Sequence, residues 1–132
     1  MSTTSKTVLI VDDELFMLRL LECTFIKDDF LVVQVRNGAD AVSVAIQQRP
    51  QLIVMDIMMP GLDGLSAVRQ LKQNEATREI PIIVLSSRGH ALTRVEAEQS
   101  GAALFLTKPF SPTQLRAEAK RILAIVGSGK PL

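Results

Sequence analysis

Leu52-Ile53-Val54-Met55-Asp56-Ile57-Met58-Met59-Pro60-Gly61 is an apolar run that holds one carboxylate near its end and then meets a Pro-Gly break. A short apolar run closed by turn residues reads as a buried strand. An ionised Asp at the end of such a strand is costly unless something pairs with it. Alone, Asp56 reads as a capping or turn residue. Its chemistry is decided by what the rest of the chain brings beside it.

On either side of this run the sequence alternates between two periodicities. Thr7 to Val11 is a β-branched and Leu run ending in Asp12-Asp13-Glu14. Leu18, Leu21 and Phe25, with Leu15 and Met17 beside them, recur at helical spacing and predict a helix over 15–25. Phe30 to Val35 is a second strand, Asn37-Gly38 a turn, and Ala41, Val42, Ala45 and Ile46 line a second helix stopped at Pro50. Gln51 to Asp56 is the third strand. A helix follows over 65–71, then a connector over 77–81 and a fourth strand over 82–85 that runs into Ser86-Ser87. A more polar helix over 91–99 stops at Ser100-Gly101. Ala103 to Leu106 is the fifth strand, followed by Thr107-Lys108-Pro109-Phe110. Ser111 caps a last helix with Pro112 in its first turn and Leu115, Ala119, Ile122, Leu123 and Val126 as its apolar positions.

Five strands alternating with five helices across short connections predict parallel strands joined by right-handed helical crossovers, with helices on both faces. The fold class is α/β, a doubly wound five-stranded sheet of flavodoxin-like order 2-1-3-4-5. One domain over 7–126 is expected, with a flexible N-terminus at 1–6 and a tail or linker start at 127–132. The 132 residues, 47% hydrophobic and 22% charged, have ordinary globular composition. A formal charge of +1 argues against a broad grip on nucleic acid. The lone Cys23 excludes an internal disulfide framework and suits a reducing, cytoplasmic setting; its apolar neighbours read it as a buried small hydrophobe. No signal peptide and no membrane-spanning run is apparent.

In an open α/β sheet, ligands bind beyond the carboxyl ends of the strands. There the first strand presents Asp12 and Asp13, the third Asp56, the fourth Ser86 and Ser87, and the fifth Lys108. The order 2-1-3-4-5 makes these four strands consecutive neighbours, about 4.8 Å apart. Two like charges about 5 Å apart at an effective dielectric near 20 repel by roughly 3 kcal/mol. Three carboxylates with one Lys therefore call for a divalent cation. All the donors are oxygens, which disfavours zinc and copper and favours Mg²⁺, with Mn²⁺ as a substitute. A hard cation beside a carboxylate, a hydroxyl and a Lys is equipment for phosphoryl transfer, with Asp56 able to become an acyl phosphate.

Val8-Leu9-Ile10-Val11-Asp12-Asp13-Glu14, Val54-Met55-Asp56-Ile57-Met58-Met59-Pro60-Gly61-Leu62-Asp63-Gly64, Leu85-Ser86-Ser87 and Leu106-Thr107-Lys108-Pro109-Phe110 together resemble the response-regulator receiver domain of two-component signalling. The resemblance runs from about Thr7 to Val126 and is nearest the single-domain, chemotaxis-regulator-like form. That family is itself a standard example of the 2-1-3-4-5 order, so the order rests on the resemblance as much as on the strand pattern.

The resemblance implies that Asp56 accepts a phosphoryl group from a sensor histidine kinase or a histidine phosphotransfer protein. It implies Asp13 and Asp56 as direct Mg²⁺ ligands, Asp12 through a water, and the main-chain carbonyl of Met58 as a further ligand. Lys108 would pair with the phosphoryl oxygens and its bond to Pro109 would be cis. Ser86 would hydrogen-bond the phosphoryl group, and Phe105 would swing inward behind it. This reshapes the surface of the fourth helix, fifth strand and fifth helix, which acts on a downstream protein partner or a fused output domain.

The switch hydroxyl, often Thr in the family, is Ser86, and the aromatic, often Tyr, is Phe105, which has no phenol to donate. Met58 and Arg88 flanking the pocket offer a water no general base, which predicts slow loss of the phosphoryl group. Gly101-Ala102-Ala103-Leu104 lacks the acidic pair that dimeric winged-helix members carry there, so that dimer mode is not expected. Arg116, Lys120 and Arg121 make the last helix basic on one side, a solvated face first and an acidic-partner surface second. His90 reads as incidental.

Three other readings compete with a working phosphoacceptor that is not an enzyme. A stand-alone receiver is expected over one cut from a longer regulator. A degenerate receiver would act only as a binding module. An Asp-nucleophile phosphatase would place its nucleophile after the first strand in an Asp-x-Asp pattern, where this chain has Asp12-Asp13 and would leave Asp56 idle. A flavin-phosphate site would need backbone amides where these carboxylates stand.

Overall fold

The computed structural model describes residues 6–57, 64–87 and 91–127. The elements are β1 (Thr7–Val11), α1 (Leu15–Ile26), β2 (Leu31–Val35), α2 (Gly38–Gln48), β3 (Leu52–Asp56), α3 (Gly64–Gln73), β4 (Ile82–Ser86), α4 (Ala91–Gln99), β5 (Leu104–Thr107) and α5 (Pro112–Gly127). All strands pair in parallel, as the alternation of periods predicts, and in the order β2-β1-β3-β4-β5 that the family resemblance implies. Residues 8–11, 52–56 and 82–86 of the central strands are all buried. That explains why β1, β3 and β4 read as continuous apolar runs instead of alternating ones.

Alternation instead sorts side chains between two layers. Leu9, Val11, Ile53, Met55, Ile82, Val84 and Phe105 pack with Ala41 and Ala45 of α2, Leu65, Val68 and Leu71 of α3, and Ala97 of α4. Val8, Ile10, Leu52, Val54, Ile83 and Leu85 pack with Leu18, Leu21 and Phe25 of α1 and Leu115, Ala119 and Ile122 of α5. Phe25 and Phe30 meet edge to face with ring centroids 5.3 Å apart.

Several boundaries differ from the sequence reading. Asn37 and Gly38 are not a free turn: Asn37 caps α2, its side-chain oxygen accepting from the Asp40 amide at 2.8 Å, and Gly38 is the first helical residue. Phe30 precedes β2, its amide donating to the Phe25 carbonyl to close the end of α1. β5 begins one residue later than the apolar run, at Leu104. Ser111 does cap α5, accepting from the Gln114 amide at 3.2 Å.

Cys23 is exposed, contrary to the reading as a buried hydrophobe. Leu18, Leu21 and Phe25 take the sheet-facing side of α1, and helical spacing turns position 23 away from it. On α5, Lys120 and Arg121 are exposed, in keeping with a solvated face, whereas Arg116 is tied down. Arg116 holds Asp28 in a two-pronged ion pair, with Nε–Oδ2 3.0 Å and a second guanidinium nitrogen 2.9 Å from Oδ1. Lys120 stands 3.4 Å from the same carboxylate, and Arg121 pairs with Glu118.

Candidate functional site

The site stands where the central strands end. Val11 is in register with Met55, so Asp12 and Asp56 leave adjacent strands side by side. Asp56 is in register with Leu85 and Ser86 with Thr107, which carries the line of polar residues across β4 to β5. Backbone bonds extend the ladder past these ends: the Asp12 amide donates to Val35, Ile57 to Leu85, and Lys108 to Ser86 at 2.7 Å.

Asp12 is fully buried and Asp56 is 4% exposed. Lys108 Nζ donates to Asp12 Oδ2 and to Asp56 Oδ2, both at 3.0 Å. Asp12 Oδ1 also accepts from the Glu14 amide at 2.9 Å. Burial pushes the Asp12 carboxyl above its ordinary range, and the Glu14 amide and the Lys108 ammonium pull it back only in part. Burial works to lower the Lys108 ammonium, but its hydrogen bonds to the two carboxylates outweigh that and hold it raised. The pair is thus a shared cation between two crowded carboxylates.

Asp12, Asp13 and Asp56 each offer a carboxylate oxygen, and these oxygens lie within 4.8 Å of one another. Opposite ligands of an octahedral Mg²⁺ stand about 4 Å apart, so three oxygens this close together match the spacing needed to share one hard cation. The donor set is all oxygen, and its negative charge exceeds that of Lys108, which suits a divalent ion.

Ser86 is fully buried beside this cluster, and the Lys108–Pro109 bond is cis. Phe105 is already inside, 3% exposed, with the Arg94 guanidinium 5.0 Å above its ring; the sequence reading had it swing inward only on phosphorylation. Met58, Arg88 and His90 lie outside the described residues. Two groups escaped the sequence reading. Arg36 donates to the Asp13 carbonyl at 2.9 Å, bracing the acidic loop from β2, and Arg94 covers Phe105. Neither sits in a motif, and both contacts depend on chain folding, so no local signal marks them.

Among the described residues no helix is long and apolar enough to cross a membrane. The family model for the response regulator receiver domain matches residues 8–120. The chain is 36% identical over 124 residues to the phosphate regulon transcriptional regulatory protein PhoB of Pseudomonas aeruginosa, covering 94% of this chain and 54% of that protein. It spans about half the length of the curated relatives it matches first. A putative response regulator from Chloroflexus aurantiacus superposes with a TM-score of 0.87 at 29% identity, covering 92% of this chain and 99% of that one. The receiver domain of sensor histidine kinase PA1611 from Pseudomonas aeruginosa, solved with a magnesium ion coordinated in its active-site cleft, gives 0.84 at 30% identity, covering 92% and 99%. Sequence and fold agree over nearly the whole chain, which belongs to the receiver-domain family of two-component response regulators.

Proposed function

We propose that this receiver domain takes a phosphoryl group onto Asp56 from a phosphohistidine of a sensor kinase or phosphotransfer protein. The observation that carries the reading is the Lys108 ammonium 3.0 Å from both Asp12 and Asp56, a cation held where new anionic oxygens would arrive. A carboxylate oxygen of Asp56 attacks phosphorus, the P–N bond breaks with its electron pair remaining on the imidazole, and an acyl phosphate forms. Lys108 follows the new charge, releasing Asp56 for a phosphoryl oxygen while Asp12 keeps its other proton.

Asp12, Asp13 and Asp56 would hold Mg²⁺, which when bound would neutralise phosphoryl oxygens. The oxygen-only cluster and the magnesium-bound PA1611 receiver support this. The Ser86 hydroxyl is the donor for the phosphoryl group from β4, and Phe105 reports the change to the surface of α4, β5 and α5. That surface then acts on a protein partner or on a fused output domain, consistent with relatives about twice as long that are named as transcriptional regulators.

The test is incubation with a small phosphodonor and Mg²⁺, followed by mass spectrometry of the intact chain and its peptides. One phosphoryl group at Asp56, absent from Asp56→Asn and absent in chelator, is expected. No mass gain together with no beryllofluoride binding would make the chain a binding module. Slow loss of the phosphoryl group follows from Met58 and Arg88; decay within seconds overturns that part alone.

A further inference from the structure

One peptide group joins an exposed cation to the buried acidic cluster. It is the group between Asp13 and Glu14. Its carbonyl accepts from Nη2 of the exposed Arg36 at 2.9 Å, and its N–H donates to Asp12 Oδ1, also at 2.9 Å. The carbonyl and N–H of a trans peptide point to opposite sides of one plane, so Arg36 and Asp12 grip that plane from its two edges. Beyond it, Asp12 Oδ2 accepts from Lys108 Nζ, which also donates to Asp56, both at 3.0 Å. A line of hydrogen bonds thus runs from Arg36 to the carboxylate of Asp56.

The regular ladders supply neither grip on this peptide. The α1 ladder opens one residue later, where the Glu14 carbonyl accepts from the Leu18 amide at 3.1 Å. Arg36 itself is fixed through both of its neighbours. The Val35 carbonyl accepts from the Asp12 amide at 3.2 Å, and Asn37 caps α2. Hydrogen bonds in series polarise one another, so a cation on the Asp13 carbonyl makes the Glu14 N–H a stronger donor to Asp12. Rotation of the peptide would break both of its bonds at once.

We propose that Arg36 is a positioning residue for the metal site, holding the 13–14 peptide so that Asp12 and Asp13 stay turned toward Asp56. The inference rests on the phosphoacceptor reading above. Removing an outer bond of this kind changes metal affinity by about 10- to 100-fold. The positive charge of Arg36 works the other way, repelling a bound cation. It is solvent-exposed and screened by salt, so positioning outweighs repulsion.

Arg36→Met keeps an apolar stem and removes the donor, and Arg36→Lys restores a donor. Two measurements on the unphosphorylated chain decide the matter: the Glu14 amide signal by NMR without metal, and Mg²⁺ affinity by calorimetric titration in about 0.3 M salt. In Arg36→Met the Glu14 amide proton is expected to move upfield and exchange at least about tenfold faster. Mg²⁺ affinity is expected to fall about tenfold, and Arg36→Lys to recover part of both losses. Phosphoryl uptake by Arg36→Met falls when Mg²⁺ is limiting and returns toward the parental rate when it is saturating. A thermal midpoint near that of the parent checks folding. An unmoved Glu14 signal overturns the proposal. So does Mg²⁺ affinity equal to or above the parent's, or a lysine that restores neither loss. A parent that binds Mg²⁺ but takes up no phosphoryl group removes the reading of Asp56 alone, and the Glu14 signal and Mg²⁺ affinity still decide the role of Arg36. A parent that binds no Mg²⁺ overturns both.

Discussion

At the carboxyl ends of the strands, Asp12, Asp13 and Asp56 crowd together and two of them share the Lys108 ammonium. At the amino ends the arrangement is reversed: Asp28, ahead of β2, lies between two cations, Arg116 and Lys120. There too Lys72 donates to the Arg78 and Ile80 carbonyls at 3.1 and 2.8 Å, and the buried Thr77 hydroxyl donates to the Leu71 carbonyl at 2.6 Å. One end of the sheet keeps an excess of like charge, which costs stability and, in the function proposed above, prepares the molecule for a cation and an incoming phosphoryl group. The other end answers each buried polar group and ties the connectors down. Selection for chemistry and for stability has thus been separated along the strand axis.

The largest effect that would break this contrast comes from Lys108. Lys108→Ala leaves two buried carboxylates without their shared cation. Phosphoryl uptake is expected to fall about 10²- to 10³-fold, read as the rate of mass gain. Stability should fall by about 3 kcal/mol, read by denaturant titration. Gly64→Ala is next, because a β-carbon there collides with the Ile57 backbone directly after Asp56, the proposed phosphoacceptor. A loss of about 1–3 kcal/mol is expected, with slower uptake as Asp56 is displaced; unchanged uptake would show that the loop adjusts elsewhere.

Thr77→Val at the opposite end removes one buried hydrogen bond and should cost about 1–2 kcal/mol. Uptake at Asp56 is expected to stay at the parental rate, which is the sharpest form of the contrast. The smallest effect concerns Asp28. The Arg116 guanidinium holds its carboxyl down at about 2, below the ordinary 3.8. A depressed folded-state value means the ion pair stabilises above pH about 4 and that contribution is lost as pH falls through about 2. The difference in thermal midpoint between parent and Asp28→Asn should therefore be full near neutral pH, shrink on acidification, and shrink also in high salt. A difference that persists at pH 2 would mean that packing, not charge, sustains it.

Much of the fold and its rim could be read from the chain, because both depend on local signals. Apolar runs closed by turn residues mark buried strands, and the polar residues that interrupt them, Asp12, Asp56, Ser86 and Lys108, are conspicuous for being there. The misreadings have physical causes. Cys23 was misjudged from its apolar neighbours in sequence, whereas the helical spacing of Leu18, Leu21 and Phe25 sets it on the opposite side of α1. Asn37-Gly38 offers the same residues to a turn and to a helix cap, and the Asp40 amide decides between them. On α5 the solvated reading holds for Lys120 and Arg121, but the Arg116 pair was not legible because its partner, Asp28, is 88 residues away. Arg36 and Arg94 reach the site region across the fold, and nothing next to them in sequence announces it.

The alternation of side chains between the two layers has a consequence for how a signal leaves the site. Asp56 belongs to the set that includes Leu52 and Val54, on the α1 and α5 side, whereas Ser86 and Phe105 belong to the set of Ile82 and Val84, on the α4 side. A group on Asp56 that engages Ser86 therefore crosses from one layer to the other at the end of the sheet. Strand parity is the wiring of that crossing. Inserting one residue within β4 would keep the hydrophobic run and the order of strands, yet turn Ser86 toward the wrong layer. Such a protein would charge without reporting.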